Sequence, residues 1–352
     1  MTKYVRESVA CLTAYTPGEQ PKDPSIIKLN TNENPYPPAP AVATALADLE
    51  AERLRLYSDP LSMPLRRRLA EIHGCTVSQV FAGNGSDEIL ALCTRAFVEN
   101  DGSIGFLDPS YSLYPILADI RNVEQRRVSL GENFSWHMPE NFKASLFLLT
   151  NPNAPTGVRV DKAVVKAFCE SFDGVVVIDE AYVDFADEDC MDLALTLDNV
   201  IVCRTLSKSF SLAGLRLGYA VGSEHLIEGL MKVKDSYNLG MLPQLVALAA
   251  LSDLDHMRAN VDRIRATRKR LTNDLVTLGF DVLPSDTNFL MVRPPCLGAA
   301  ELFETLREQG ILVRYFPGER TGDYIRITVG RDDEVDRLLA AVTSILAAEK
   351  MI

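Results

Sequence analysis

The sequence predicts an α/β protein, a large domain with a mostly parallel sheet flanked by helices plus a smaller α+β domain. Three observations predict it. Strand-like and helix-like patterns alternate from about residue 76 to 235, the mark of a parallel sheet covered on both faces. Within that stretch lie short unbroken apolar runs, Leu146-Phe147-Leu148-Leu149-Thr150 and Gly174-Val175-Val176-Val177-Ile178, which suit strands buried on both sides. From residue 256 onward the pattern changes to a long helix, then strands at 280–293, 310–316 and 324–329 with helices at 299–309 and 332–347. The expected units are an arm at 1–30, a large domain at 31–255 and a small domain at 256–352, joined by part of the N-terminal segment.

The first 30 residues hold a short polar helix candidate, ended by Leu12-Thr13-Ala14-Tyr15-Thr16-Pro17-Gly18. A loop at 30–40, rich in Asn and Pro, leads into a helical pattern from 41 to about 52. Arg55-Leu56-Tyr57-Ser58-Asp59-Pro60 breaks the chain before a helix at 64–73. Gln79-Val80-Phe81-Ala82 then runs into Gly83-Asn84-Gly85-Ser86-Asp87-Glu88, with a helical pattern through Phe97. Glycines followed by Ser and Asp at a helix start offer backbone N–H groups and the positive dipole end to a phosphate. A plain helix N-cap is the alternative reading of these residues. The third glycine of a dinucleotide fingerprint is missing, and there is no P-loop.

Ser103 to Asp108 reads as a strand leading into Pro109-Ser110-Tyr111-Ser112-Leu113-Tyr114, where both tyrosines suit a core at a helix start. The run at 146–150 ends in Asn151-Pro152-Asn153-Ala154-Pro155-Thr156-Gly157, whose prolines hold the loop away from helix. Helical patterns follow at 243–251 and 256–278, the second rich in Arg and Asp. Its charges read as a solvated helix face linking the two domains.

The chemistry gathers in the stretch from Thr205 to Tyr219, which leaves the apolar run Val200-Ile201-Val202. Lys208 sits there among Thr205, Ser207, Ser209 and Ser211, with Arg216 eight residues on and glycines at 214 and 218. A partly buried lysine loses its proton and becomes a nucleophile. Small hydroxyls and a guanidinium suit a phosphate. Standing alone, such a segment reads as a solvated loop. Upstream, however, Asp179-Glu180-Ala181-Tyr182 stands at the C-terminal end of a buried run, where open α/β sheets bind ligands. An aspartate there can keep a pyridine nitrogen protonated, and Tyr182 can reach a phenolate oxygen. Capping of the next segment is the plainer role for the aspartate. Taken together the two segments ask for an aldehyde that carries a phosphate, and pyridoxal 5′-phosphate is the common one.

The chain resembles the fold-type I pyridoxal-phosphate aminotransferases, and among them the histidinol-phosphate aminotransferases. The segments that carry the resemblance are Leu29-Asn30-Thr31-Asn32-Glu33-Asn34-Pro35-Tyr36-Pro37, Gly83 to Glu88, Asn151 to Gly157, Asp179 to Tyr182, the Lys208 stretch and Tyr324-Ile325-Arg326-Ile327-Thr328-Val329-Gly330. They span almost the whole chain. The resemblance implies that Lys208 holds the cofactor as a Schiff base and shuttles the proton, while Asp179 faces the ring nitrogen. Tyr182 and Asn153 would serve the phenolate oxygen, and Tyr111 would stack on the ring. Gly85, Ser86, Asp87, Thr205, Ser207 and Arg216 would hold the phosphate, with Tyr57 lent to the neighbouring subunit of a homodimer.

On the substrate side the resemblance implies Tyr15, Asn153, Arg314 and Arg326. Arg326 would grip a carboxylate and Arg314 the substrate phosphate, although an exposed strand arginine is the plainer reading of Arg314. Many relatives carry a second Asn where this chain has Ala154. The implied reaction takes L-histidinol phosphate and 2-oxoglutarate to imidazole-acetol phosphate and L-glutamate. An aromatic amino-acid aminotransferase would share every cofactor residue, and a decarboxylase of a phosphorylated amino acid would need no 2-oxo acid. A non-catalytic cofactor-binding module and a dinucleotide-dependent dehydrogenase fit less well, for want of a DNA-binding extension and of a glycine fingerprint.

Composition narrows the rest. A net charge of −12 speaks against nucleic-acid binding, which needs a basic face, so an anionic substrate requires a local basic cluster. Seven cysteines at 11, 75, 93, 169, 190, 203 and 296 form no CxxC pair, as expected of a reducing cytoplasm. The four histidines are scattered, so no metal site is expected. No membrane span or signal peptide is expected either.

Overall fold

A computed structural model describes residues 4–12 and 18–349. Along it run the strands β1 (Ile27–Lys28), β2 (Val80–Gly83), β3 (Ser103–Asp108), β4 (Glu124–Ser129), β5 (Leu146–Thr150), β6 (Val175–Asp179), β7 (Val200–Thr205) and β8 (Gly218–Gly222). The C-terminal part adds β9 (Asp281–Val282), β10 (Phe289–Arg293), β11 (Ile311–Leu312), β12 (Arg314–Tyr315) and β13 (Ile325–Thr328).

The central sheet has seven strands in the order β2-β8-β7-β6-β5-β3-β4. Strands β7, β6, β5, β3 and β4 run parallel, whereas β8 lies antiparallel to both β7 and β2. Period-two alternation explains why the strands read as unbroken apolar runs. Phe147, Leu149, Val176, Ile178, Val200 and Val202 enter one core. Leu146, Leu148, Val177, Ile201 and Cys203 enter the other, on the opposite face. Helices cover both faces, so neither set of side chains meets water.

The edge strand β4 has no counterpart among the sequence expectations. Its residues Glu-Gln-Arg-Arg-Val-Ser are mostly exposed, with only Val128 buried, so no apolar run marks it. Charged residues on an edge strand also discourage pairing with another sheet.

A second sheet has the order β12-β13-β10-β9, all antiparallel, and β1 pairs in parallel with β11 in a separate two-stranded piece. Two expected strands prove to be divided. The stretch 280–293 forms a hairpin, β9 against β10, because Ser285 and Thr287 both turn their hydroxyls onto the Phe289 carbonyl. The stretch 310–316 changes partner at Val313, leaving β1 and joining β13. The helix expected to reach 52 ends at Ala47, followed by a short 3₁₀ turn, Ala51–Arg55. Ile27 and Leu29 pack with Leu290, Leu302, Ile325 and Leu338 in a third core, so the short stretch at 27–29 is built into the C-terminal unit. The long helix Leu254–Thr277 buries Val261 and Ile264 in a cluster with Tyr182, Phe185, Phe289 and Val329, which ties the two units together.

Candidate active site

Asp108, Thr150, Asp179 and Thr205 are the last residues of β3, β5, β6 and β7, and all four line one cavity of about 360 Å³. It lies where parallel strands end, as open α/β sheets place their ligands. Lys208, Tyr111, Tyr182, Ser86, Asp87, Ser207, Arg216, Arg314 and Arg326 line the same cavity.

Asp179 forms its floor and is 2% exposed. Its Oδ2 accepts the Tyr114 hydroxyl at 3.0 Å and its Oδ1 the Ala181 amide at 3.2 Å. Tyr114 is fully buried and also bonded to Thr150. Burial pushes the Asp179 carboxyl up to about 7; the Tyr114 bond opposes the rise and the nearby Asp87 adds to it. A carboxylate held in this way lacks a cation. A protonated pyridine nitrogen would supply one.

Above it the helix Ser86–Phe97 points its first turn at the cavity, with no side chain capping its N-terminus. Two glycines make that end accessible. Gly85 has φ +85°, and a Cβ there would lie 2.8 Å from the Arg216 guanidinium. At Gly218 a Cβ would meet the Ser86 amide nitrogen at 2.6 Å. Arg216 itself adopts a left-handed φ of 54°, a strain that positions side chains at functional sites. Its guanidinium donates to Asp87 at 3.1 Å and to the Ser207 hydroxyl at 3.4 Å, while Thr205 donates to Ser207 at 2.9 Å. Backbone amides at a helix end, hydroxyls and a guanidinium are the donor set a phosphate requires. Floor and cradle both fit pyridoxal phosphate.

Lys208 lies between them. Its Nζ donates to the Thr31 carbonyl at 3.3 Å and sits 5.7 Å from the Tyr182 ring centroid. Asn34 holds this loop by donating to the carbonyls of Lys208 and Ser209 at 3.0 and 3.1 Å. Tyr111 donates to Asp87 at 3.1 Å and meets Tyr114 edge-on at 5.7 Å.

On the far wall Arg314 and Arg326 are direct partners across β12 and β13. Both line the cavity, and Phe316 lies between them, 5.5 Å from the Arg314 guanidinium and 5.1 Å from that of Arg326. Phe289 flanks Arg326 at 5.1 Å, and the Asn30 carbonyl accepts from it at 3.1 Å. Like charges directly opposite one another destabilise a sheet. Two guanidiniums on one wall suit an anionic ligand.

Some expected residues stand apart from this group. The Asn153 amide donates to the Pro109 carbonyl at 3.1 Å and to the Thr156 hydroxyl at 3.0 Å. It is buried behind the wall, and Ala154 and Pro155 face the cavity instead. Tyr57 is 81% exposed and stacks on Tyr237 at 4.4 Å, well outside the cavity. Tyr15 lies outside the described residues. Residues without an assigned role also come forward: Asn32, Tyr114, Thr150 and Phe316. Asn32 and Tyr114 belong to segments with a visible pattern, but nothing in their spacing shows which partner they meet. Among the described residues no group of three or more His, Cys, Asp or Glu is placed to hold a metal ion. No helix among them is long and apolar enough to cross a membrane.

Comparison with known proteins agrees with this geometry. Residues 24–342 match the family described as aminotransferase class I and II. The chain is 46% identical over 342 residues to a histidinol-phosphate aminotransferase of Synechocystis sp., covering 97% of this chain and 98% of the relative. It is 44% identical to one of Microcystis aeruginosa, with the same coverage. Among solved structures, histidinol-phosphate aminotransferase from Sinorhizobium meliloti in complex with pyridoxal-5′-phosphate superposes with a TM-score of 0.87. That match has 24% identity and covers 99% of each chain.

Proposed function

Because the chain belongs to the class I and II aminotransferases, we propose that it converts L-histidinol phosphate and 2-oxoglutarate to imidazole-acetol phosphate and L-glutamate, in histidine biosynthesis, with pyridoxal 5′-phosphate as cofactor. The observation that carries the substrate reading is the cross-strand pair Arg314 and Arg326, in one cavity with Lys208 and Asp179. Both substrates of this reaction bring anionic groups, a phosphate monoester in one case and two carboxylates in the other. Arg326 is read as the carboxylate grip, suited to a bidentate contact. Arg314 is read as the phosphate contact.

The cofactor, when bound, supplies an electron-withdrawing ring that stabilises negative charge at the substrate carbon. Asp179 would hold the ring nitrogen protonated from the floor of the cavity. Arg216, Ser207, Thr205 and the amides of Gly85, Ser86 and Asp87 hold the phosphate. Tyr111, which lines the cavity, would stack on the ring. Lys208 Nζ would be the point of covalent attachment, and its amine would serve as the base and then the acid beside the substrate carbon. Tyr182 would donate to the ring oxygen, and Asn153 is read as its companion. Tyr15 is read as a substrate contact from the N-terminal arm.

The active unit is read as a homodimer in which Tyr57 completes the partner's phosphate cradle. Its exposure beside Leu54, Leu56, Leu61 and Tyr237 supports this, since an exposed apolar cluster of that kind favours a covering surface. The seven cysteines are unpaired, which suits a reducing cytoplasm. Sedimentation velocity should give a dimer; a monomer with full turnover would refute the role of Tyr57.

The deciding experiment mixes cofactor-loaded protein with histidinol phosphate or, separately, phenylalanine, and follows the visible absorbance of the cofactor. Fast loss with histidinol phosphate alone supports the assignment. A preference for phenylalanine would move the enzyme to aromatic amino-acid metabolism, and release of carbon dioxide from an added phosphorylated amino acid, with no 2-oxo acid needed, would make it a decarboxylase. Lys208→Ala should lose both the imine absorbance and turnover, and normal turnover would overturn the role of Lys208.

A further inference from the structure

We propose that Asn32 is a positioning residue for this reaction, aiming the Tyr182 hydroxyl proton into the cavity. Asn32 is 1% exposed and has a left-handed φ of 56°, a conformation that asparagine tolerates better than most residues. Its backbone is fixed from both sides. The amide N–H donates to Thr328 Oγ1 at 3.0 Å, and the carbonyl accepts from Asn288 Nδ2 at 3.0 Å.

The direction of each proton follows from these bonds. Thr328 Oγ1 accepts the Asn32 N–H, so its single proton is available for Asn32 Oδ1, 3.1 Å away. With Oδ1 engaged, the side-chain NH₂ faces Tyr182 Oη at 2.9 Å and donates to it. Were the amide reversed, the Thr328 hydroxyl would accept twice and its own proton would face a donor. Tyr182 is therefore the acceptor in its contact with Asn32, and its proton points elsewhere. Tyr182 lines the cavity, so that proton is presented to an anionic oxygen bound there. The chain of bonds starts on β13, two positions from Arg326, so the strand that carries a substrate arginine also orients the tyrosine.

The inference rests on the cofactor reading above, in which the oxygen is that of the pyridoxal ring. The test is a pH titration of the visible absorption of the holoenzyme. A donor at the ring oxygen stabilises the form in which that oxygen bears uncompensated negative charge, which is the less protonated one. Losing the donor moves the midpoint to higher pH.

Asn32→Asp replaces the donor with an acceptor and turns the Tyr182 proton round, so the midpoint should rise by about one pH unit. Thr328→Val, which adds no charge, frees the amide to reverse and should raise it by less, whereas Thr328→Ser should restore the wild-type value. With Tyr182→Phe already in place, Thr328→Val should add no shift. An unmoved midpoint in both single variants, or an equal shift in the Tyr182→Phe background, would overturn the proposal. A purely structural role would lower the melting temperature and leave the midpoint in place. If Asn32→Asp does not fold, the two Thr328 variants decide. A wild-type protein with no titrating visible band would overturn the cofactor reading itself.

Discussion

Replacing Asp179 with Asn in the cofactor-free protein tests whether this carboxylate is built to face a cation. Asp179 is buried, and its carboxyl is raised from 3.8 to about 7, chiefly by burial. Between those values the folded chain holds one proton more than the unfolded chain, so stability falls as pH rises. The slope is about 1.4 kcal/mol per pH unit. From pH 5 to pH 8 the wild type should thus lose about 3 kcal/mol from this one group, and above pH 8 the deficit stays. Asparagine has no such proton to lose. Urea unfolding followed by circular dichroism at pH 5 and pH 8 gives the comparison. Asp179→Asn should be spared that loss, while other titrating groups cancel between the two proteins. Bound cofactor should remove most of the difference by supplying the cation. Parallel loss of stability in wild type and variant would refute the argument.

Three further predictions draw on other parts of the site and its frame. Arg326→Lys keeps the charge and loses the planar fork, so KM for 2-oxoglutarate should rise about 10- to 100-fold, the range set by a charge-assisted hydrogen bond; steady-state kinetics with unchanged KM would remove Arg326 from the carboxylate contact. Gly218→Ala puts a Cβ 2.6 Å from the Ser86 amide nitrogen, so unfolding should become easier by roughly 1–3 kcal/mol and cofactor affinity should fall, measurable by denaturation and absorbance titration. His73 bonds to the Tyr219 hydroxyl at 3.0 Å and is pushed down to about 4, mainly by burial and then by Arg204. Its folded value lies below its unfolded one, so its contribution is present above about pH 6.5 and lost as pH falls towards 4; His73→Gln should flatten that part of the melting-temperature profile.

The central strands were legible because burial on both faces leaves an unbroken apolar run. The runs at 103–108 and 146–150 coincide with β3 and β5, and Val175 to Ile178 lies in β6. Where one face or both meet solvent the signal faded, as in β4, and the antiparallel turn of β8 has no mark in its own residues. Short strands were also blurred. The stretch 310–316 is continuous in pattern yet serves two sheets, because a hydrophobic residue states that it is buried and not against which partner. The cavity residues Lys208, Asp179, Tyr182 and Arg216 could be named beforehand since their chemistry is specific. Asn32 and Tyr114 could not, because an amide and a phenol take their role from the group they meet.

By itself the sequence determined the layered architecture, the family resemblance and the set of side chains able to hold a phosphorylated aldehyde. These follow from residue type and local periodicity, which a chain carries before it folds. Only the tertiary structure decided that Arg314 and Arg326 stand opposite each other, that the buried Tyr114 hydroxyl donates to Asp179, and that Thr328 reaches Asn32 across almost three hundred residues. Hydrogen-bond direction and the raised pKa of a buried carboxyl depend on distances between remote segments. Those distances are set by how the sheets and helices pack.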